Sequence, residues 1–185
     1  MDHLDYHPIL IAFGANVDPL ANIRRGLSLL HDQFPLADIA TVYRSAPVGL
    51  LDQPDFLNGA VRLQPTKSGI TPQLLRTSLR QIEWQCGRRR TPDIPRDGPR
   101  QLDLDIAIMG KQVVHQAQWR IPDPEIDQRA FLALPLAEIA PDWRHPLLGI
   151  TMREIATRFD RSSCSITMDA EATTTLRSIL SSAPY

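Results

Sequence analysis

Residues 102–109 read LDLDIAIM, with strict apolar and acidic alternation over the first five positions. A period of two is the signature of a strand with one face buried. Leu102, Leu104 and Ile106 then face a core, and Asp103 and Asp105 share the opposite face, about 6.5–7 Å apart along the strand. Such a strand needs an apolar cover on one side only, which points to a sheet backed by helices. The chain has 185 residues, 43% of them hydrophobic, enough for one core with a short extension.

The rest of the chain supplies that sheet and its cover. Residues 8–14 (PILIAFG) read as a buried strand, and Asp18-Pro19 reads as a helix start. Leu20, Ile23, Leu27 and Leu30 repeat at helical spacing, giving an amphipathic helix over 19–33. Residues 39–44 and 56–63 read as strands joined by a loop over 47–54. Thr71-Pro72 starts a second helix whose apolar face is Leu75, Leu79, Ile82 and Cys86. After strand 102–109, Gly110-Lys111 predicts a turn into a short partner strand at Val113-Val114. Helices follow over 129–139, with Pro135 inside, and over 151–159. The order βαββαβ predicts a ferredoxin-like α+β sandwich, an antiparallel sheet with helices packed on it, plus C-terminal helical additions. The expected domain spans residues 9–160. Residues 161–185, rich in Ser, Thr and Ala, read as a loosely ordered tail.

Two features carry chemistry. A pair of carboxylates on one strand face repels itself unless a cation lies between, and a hard divalent ion with oxygen ligands suits the gap. The alternative is a solvated strand face. Just before the pair, residues 87–101 (GRRRTPDIPRDGPRQ) hold three prolines, two glycines and five arginines, so they form a loop. Arg88, Arg89, Arg90, Arg96 and Arg100 are able to neutralise a metal-bound polyphosphate, and a Gly-hinged loop is able to close over it. A solvated basic loop and an RNA-binding patch are the competing readings. The net charge of −1 and the absence of aromatics in this loop weigh against nucleic acid. Eighteen of the twenty basic residues are arginine, with Lys67 and Lys111 the exceptions, and the arginine fork suits phosphate and carboxylate.

Several classes are excluded. The sequence has no Walker A run, no G-x-G-x-x-G and no G-x-S-x-G. Cys86 and Cys164 form no zinc or disulfide framework. The five histidines lack HExxH spacing and read as surface or tail residues. Residues 1–5 lack a signal-peptide pattern, and no apolar stretch is long enough to span a bilayer, so the expectation is a cytoplasmic protein without membrane or nucleic-acid partners.

Four segments, taken together and in order, resemble a known family: IAFGANVDPLANI (11–23), YRSAPVGLLDQPDFLNGAV (43–61), GPRQLDLDIAIMG (98–110) and IPDPEIDQRAFLALPLAEIAP (121–141). The family is 6-hydroxymethyl-7,8-dihydropterin pyrophosphokinase, of folate biosynthesis. The resemblance implies a ferredoxin-like fold, two Mg²⁺ ions and ATP as co-substrate, with the pterin hydroxymethyl oxygen attacking the β-phosphorus and AMP leaving. It implies that Asp103 and Asp105 hold the metals, and that Arg88 and Arg100 contact phosphates from a mobile loop. Arg90, Arg129, Glu83, Ile106 and Asp123 fall at nucleotide positions, with a solvated helix face as the other reading of Glu83. For the pterin it implies Asn58 at the amide edge, Ser45, Ala46 and Val48 as backbone and wall, Phe131 stacked on the ring, and Phe56 lining the pocket.

Three positions depart from the family pattern. Asp123 stands where the family usually has His, residues 88–100 lack the aromatic often found in the loop, and Ser45 replaces a frequent Thr. Two alternatives follow: a paralogue acting on another pterin, or a pterin- or nucleotide-binding protein without turnover. A monomer is expected.

Overall fold

The computed structural model describes residues 7–65, 69–91, 95, 97–159 and 165–181. Arg96 of the arginine loop and Cys164 fall outside these residues. The apolar run Ile9–Ala15 forms β1. Pro19–Gln33 forms α1, burying Ile23, Leu27 and Leu30 as the spacing predicts. Asp18 does not cap it by side chain; its backbone is left-handed (φ 41°), and its carbonyl instead accepts the Asn22 N–H. Thr71 does cap α2 (Pro72–Gln85), its hydroxyl accepting the Leu74 N–H at 3.2 Å.

The strand expected over 39–44 is two segments, β2 (Leu36–Ile39) and β3 (Tyr43–Ser45). Both pair with β4 (Phe56–Leu63), along different stretches of it. The break falls where Val42 turns its main chain to the C-terminal segment: its N–H donates to Thr173 Oγ1 and its carbonyl accepts from Asp169 N–H. The acidic strand is β5 (Asp103–Met109). Val114–Gln116 (β6) does not pair with β5, as the turn at Gly110-Lys111 had led us to expect. It folds onto Trp119–Ile121 (β7) in a separate ribbon, a nearer partner in sequence with a shorter loop to close. α3 spans Ala130–Ile139 with Pro135 inside. α4 covers only Met152–Ala156, opened by a Thr151–Glu154 capping box.

All pairings in the main sheet are antiparallel, in the order β5–β1–β4–β3–β8, where β8 is Ile166–Met168. β5 therefore lies at one edge. One face is covered by α1, α2 and α5 (Ala170–Arg177), around Ile11, Leu57, Val61, Leu104 and Ile106. The other face is covered in part by α3 and α4, around Leu10, Ala60, Ile108 and Leu136. Residues 166–181 depart from the loose-tail expectation. β8 extends the sheet, and Leu176 and Ile179 enter the core, so the Ser/Thr-rich composition concealed an amphipathic turn of chain. His31 and His145 are also buried rather than superficial: each uses Nδ1 to accept backbone N–H groups, at Leu36 and at Leu147 and Leu148. Among the described residues no helix is long and apolar enough to cross a membrane.

Candidate active site

The cleft lies on the sheet face that α3 and α4 leave open, and its volume is about 920 Å³. Its floor follows from strand register. Asp105 lies opposite Ala12 and Asp103 opposite Gly14; across β1, Ala60 and Asn58 continue the same rows. Small residues at the centre keep the floor low. A β-carbon on Gly14 would sit 2.8 Å from Asn58 Oδ1, so glycine here lets the Asn58 amide stand where it does. Asn58 donates to Ser45 Oγ at 3.0 Å, and both are buried.

The two carboxylates sit among arginines drawn from two elements. From the loop, Arg90 donates to Asp103 at 3.0 Å, and Arg100 makes a shorter contact to its other oxygen. From α2, Arg76 donates to Asp105 at 2.7 Å, while Arg80 lies 3.7 Å from it and 3.9 Å from Asp103. Loss of solvent in this crowded corner pushes the Asp105 carboxyl up, with Asp103 adding to the effect and Arg76 and Arg80 opposing it. The Arg100 guanidinium also lies over the Phe56 ring, 5.5 Å from its centre. Arg88 is buried at the cleft wall; burial lowers its pKa, and its Nε has no hydrogen-bond partner among the described residues.

Every side chain that the family resemblance assigns to a metal, pterin or nucleotide position lines this cleft except one. The pterin set of Ser45, Ala46, Val48, Phe56, Asn58 and Phe131 is there, as are Arg88, Arg90, Arg100, Ile106, Asp123 and Arg129. Glu83 is the exception. It is wholly buried beneath the site, neither a cleft contact nor a solvated helix residue. Its carboxylate accepts from Arg80 (2.7 Å), Arg90 (2.9 Å) and the Leu104 N–H (2.8 Å). Burial, then Asp103, pushes its pKa to about 7 against the pull of Arg80. Arg89 points away from the cleft and stacks on Trp84, 4.9 Å from the ring centre. Asp123 faces the cleft with its pKa raised to about 6, by loss of solvent first and by Asp105 and Asp103 among the further causes; the Glu125 N–H opposes this.

The comparisons with known proteins bear on this arrangement directly. Residues 10–141 match the family model of 7,8-dihydro-6-hydroxymethylpterin-pyrophosphokinase (HPPK). The chain belongs to this family. Among curated HPPK relatives, the 2-amino-4-hydroxy-6-hydroxymethyldihydropteridine pyrophosphokinase of Synechocystis is 35% identical over 165 residues, covering 83% of this chain and 77% of its own. That of Pseudomonas aeruginosa is 36% identical over 142 residues, covering 75% and 83%. The wild-type Plasmodium falciparum HPPK-DHPS crystal structure shares the fold, with a TM-score of 0.60 at 12% identity. The match covers 82% of this chain and 44% of the Plasmodium one, so this chain spans less than half of that solved protein.

Within this HPPK framework, some cleft residues had no signal as site residues in the sequence. Arg76 and Arg80 stand one helical turn apart on α2, on the flank left by Leu75, Leu79 and Ile82, and an i,i+4 arginine pair was the available hint. Gln118, Trp119 and Arg120 arrive through the β6–β7 ribbon, whose pairing the sequence did not reveal. Asp97 and Gly49 bring the two long loops together: a β-carbon on Gly49 would lie 3.1 Å from Asp97 Oδ2, and Gln53 donates to the Asp97 carbonyl.

The donor set fits divalent magnesium. Asp103 and Asp105 stand two apart on β5 and both line the cleft, and among the described residues no three His, Cys, Asp or Glu side chains are placed to hold a metal ion by themselves. Mg²⁺ held by protein is usually bound through one or two carboxylates, with substrate phosphate and water completing its octahedron.

Proposed function

We infer that this chain transfers the diphosphoryl group of ATP to the hydroxymethyl oxygen of 6-hydroxymethyl-7,8-dihydropterin, releasing AMP, as a step of folate biosynthesis. The observation that carries this reading is the meeting, in one cleft, of Asp103 and Asp105 with Arg88, Arg90 and Arg100 beside an Asn58–Ser45–Phe56 wall. In the reaction the hydroxymethyl oxygen bonds to the β-phosphorus, the bond from that phosphorus to the α,β-bridging oxygen breaks, and the hydroxyl proton is released. Asp103 and Asp105 would hold magnesium, two ions on this reading, which supplies charge neutralisation at the triphosphate. Arg88, whose Nε has no partner among the described residues, and Arg100 bind phosphate oxygens on this reading as charge builds on the leaving AMP. Arg129 adds charge from the start of α3. Asn58 presents an amide to the pterin edge, and Phe131 and Phe56 offer ring surface to its faces. Ile106 and Asp123 border the nucleotide region, and Glu83 supports it from below.

We also propose that the fold is a ferredoxin-like sandwich extended by the segment 166–181, a reading that the antiparallel order β5–β1–β4–β3–β8 supports. A cytoplasmic monomer completes the reading. The test is AMP release from ATP with the purified chain, with and without Mg²⁺ and hydroxymethyl-dihydropterin. The reading requires release that depends on both. Release only with a different pterin would make the chain a paralogue of altered substrate, and nucleotide and pterin binding without AMP would make it a binding protein.

A further inference from the structure

Helix α2 adds positive charge at the acidic pair to that which Arg90 and Arg100 of the loop bring to Asp103. Its arginines 76 and 80 follow one another by a single turn, and β5 is the edge strand, so side chains from α2 reach the carboxylates on the far face of the sheet. The two arginines differ in how they are held. Arg80 is anchored to the buried Glu83 at 2.7 Å and stands 3.7–3.9 Å from the aspartates, a fixed charge in the background. Arg76 makes the direct contact, 2.7 Å from Asp105 Oδ1, and its guanidinium carbon lies 5.7 Å from the centre of the Trp119 ring.

An oxygen atom that accepts a guanidinium N–H at 2.7 Å is not free to ligate a metal ion on the same lone pair. We propose that Arg76 is a placeholder cation. It holds Asp105 in the cleft against the repulsion of Asp103 and competes with the divalent ion for that carboxylate, so metal binds tightly only with a nucleotide that draws the guanidinium away. Polyphosphate is the ligand able to do this, because its oxygens accept the arginine fork at least as well as a carboxylate does. The centre of the Trp119 ring lies 5.7 Å from the guanidinium carbon while Arg76 holds Asp105, so the ring lines the same side chain within the cleft. Metal and nucleotide are then coupled through one side chain, and the coupling is reciprocal: whatever factor the nucleotide adds to metal affinity, the metal adds to nucleotide affinity.

The proposal rests on the metal role given above to Asp103 and Asp105, and Mn²⁺ titration by calorimetry separates the two. The full chain is titrated with Mn²⁺ alone and with Mn²⁺ in the presence of α,β-methylene-ATP, as wild type, Arg76→Gln and Arg76→Lys. The expected result is that Arg76→Gln binds Mn²⁺ alone about tenfold tighter than wild type, a coupling of ordinary size. The enhancement by the nucleotide analogue shrinks by a similar factor, and Arg76→Lys lies between. Equal or weaker Mn²⁺ binding by Arg76→Gln, with the nucleotide enhancement intact, overturns the proposal and leaves the metal role standing. Failure of the wild type to bind Mn²⁺ even with the analogue overturns both. If Arg76→Gln melts below the assay temperature but is restored by Mn²⁺, the ion has replaced the missing charge, and the proposal is supported. If it does not fold at any Mn²⁺ concentration, Arg76→Lys decides: tighter Mn²⁺ binding than wild type supports the proposal, and unchanged binding overturns it.

Discussion

Asp105 and Asp123 face one cleft, and their neighbours give them different behaviour. Asp105 has Arg76 and Arg80 beside it; on the metal role proposed for it, an alanine there removes a metal donor, while partly exposed pairs of this kind add only about 0–1 kcal/mol to stability. Asp105→Ala should therefore lower AMP release by roughly a hundredfold or more while its melting temperature stays near that of the wild type. Loss of the fold, or turnover within a few-fold of wild type, would refute the role. Asp123 makes no ion pair among the described residues, and its carboxyl is raised from 3.8 to about 6. A carboxyl raised on folding favours the folded chain below about pH 4, and that contribution is lost as pH climbs through 6. Asp123→Asn should accordingly be more stable than wild type at pH 7–8, by on the order of 1 kcal/mol after solvent screening, with the gap closing towards pH 4. Melting curves of the ligand-free proteins across that range would show it, and a gap independent of pH would contradict it. Both acids were legible as candidates before the cleft was seen, one from alternation and one from its departure from the family pattern, and both line it. Glu83 lies beneath the cleft and not in it, and its burial was not legible because the partners that bury a helix carboxylate come from other segments.

At the scale of elements, the helices and strands with clean periodicity came out of the sequence nearly to the residue: α1 over 19–33, β4 over 56–63 and the Thr71 cap of α2. The failures lie where the chain takes a partner that periodicity does not display. Val42 breaks its strand to bond with Thr173 and Asp169, and β6 turns onto β7 instead of β5. β4 also carries a packing requirement that no pattern displays. A β-carbon on Gly59 would stand 2.4 Å from Cζ of the Phe13 ring and within 3.0 Å of two further ring atoms. Phe13 is buried and borders the cleft floor, so the ring has little room to move. Gly59→Ala should cost about 1–3 kcal/mol in urea unfolding, the usual penalty for overpacking, and should weaken pterin binding through the displaced floor. Unfolding identical to wild type would show that the ring yields freely.

For the molecule as a whole, the C-terminal segment decides how the far edge of the sheet is closed. Leu176 and Ile179 are buried in the core, Arg177 bonds to Glu138 and to the Ile39 carbonyl, and β8 covers β3. Truncation after Phe159 should lower unfolding free energy by about 2–5 kcal/mol, the burial of two large aliphatic side chains less the ordering entropy saved. A truncated chain as stable as the full one would return the segment to the status of a tail. The sequence by itself determined the faces of each element, the acid pair, the arginine loop and the family, because periods of two and 3.6 and short motifs are local properties of a chain. Tertiary structure alone decided that Arg76 meets Asp105, that Glu83 lies beneath the cleft and that residues 166–181 complete the sheet. Those contacts join segments far apart in sequence, and they depend on how helices settle on a sheet whose edges no single segment specifies.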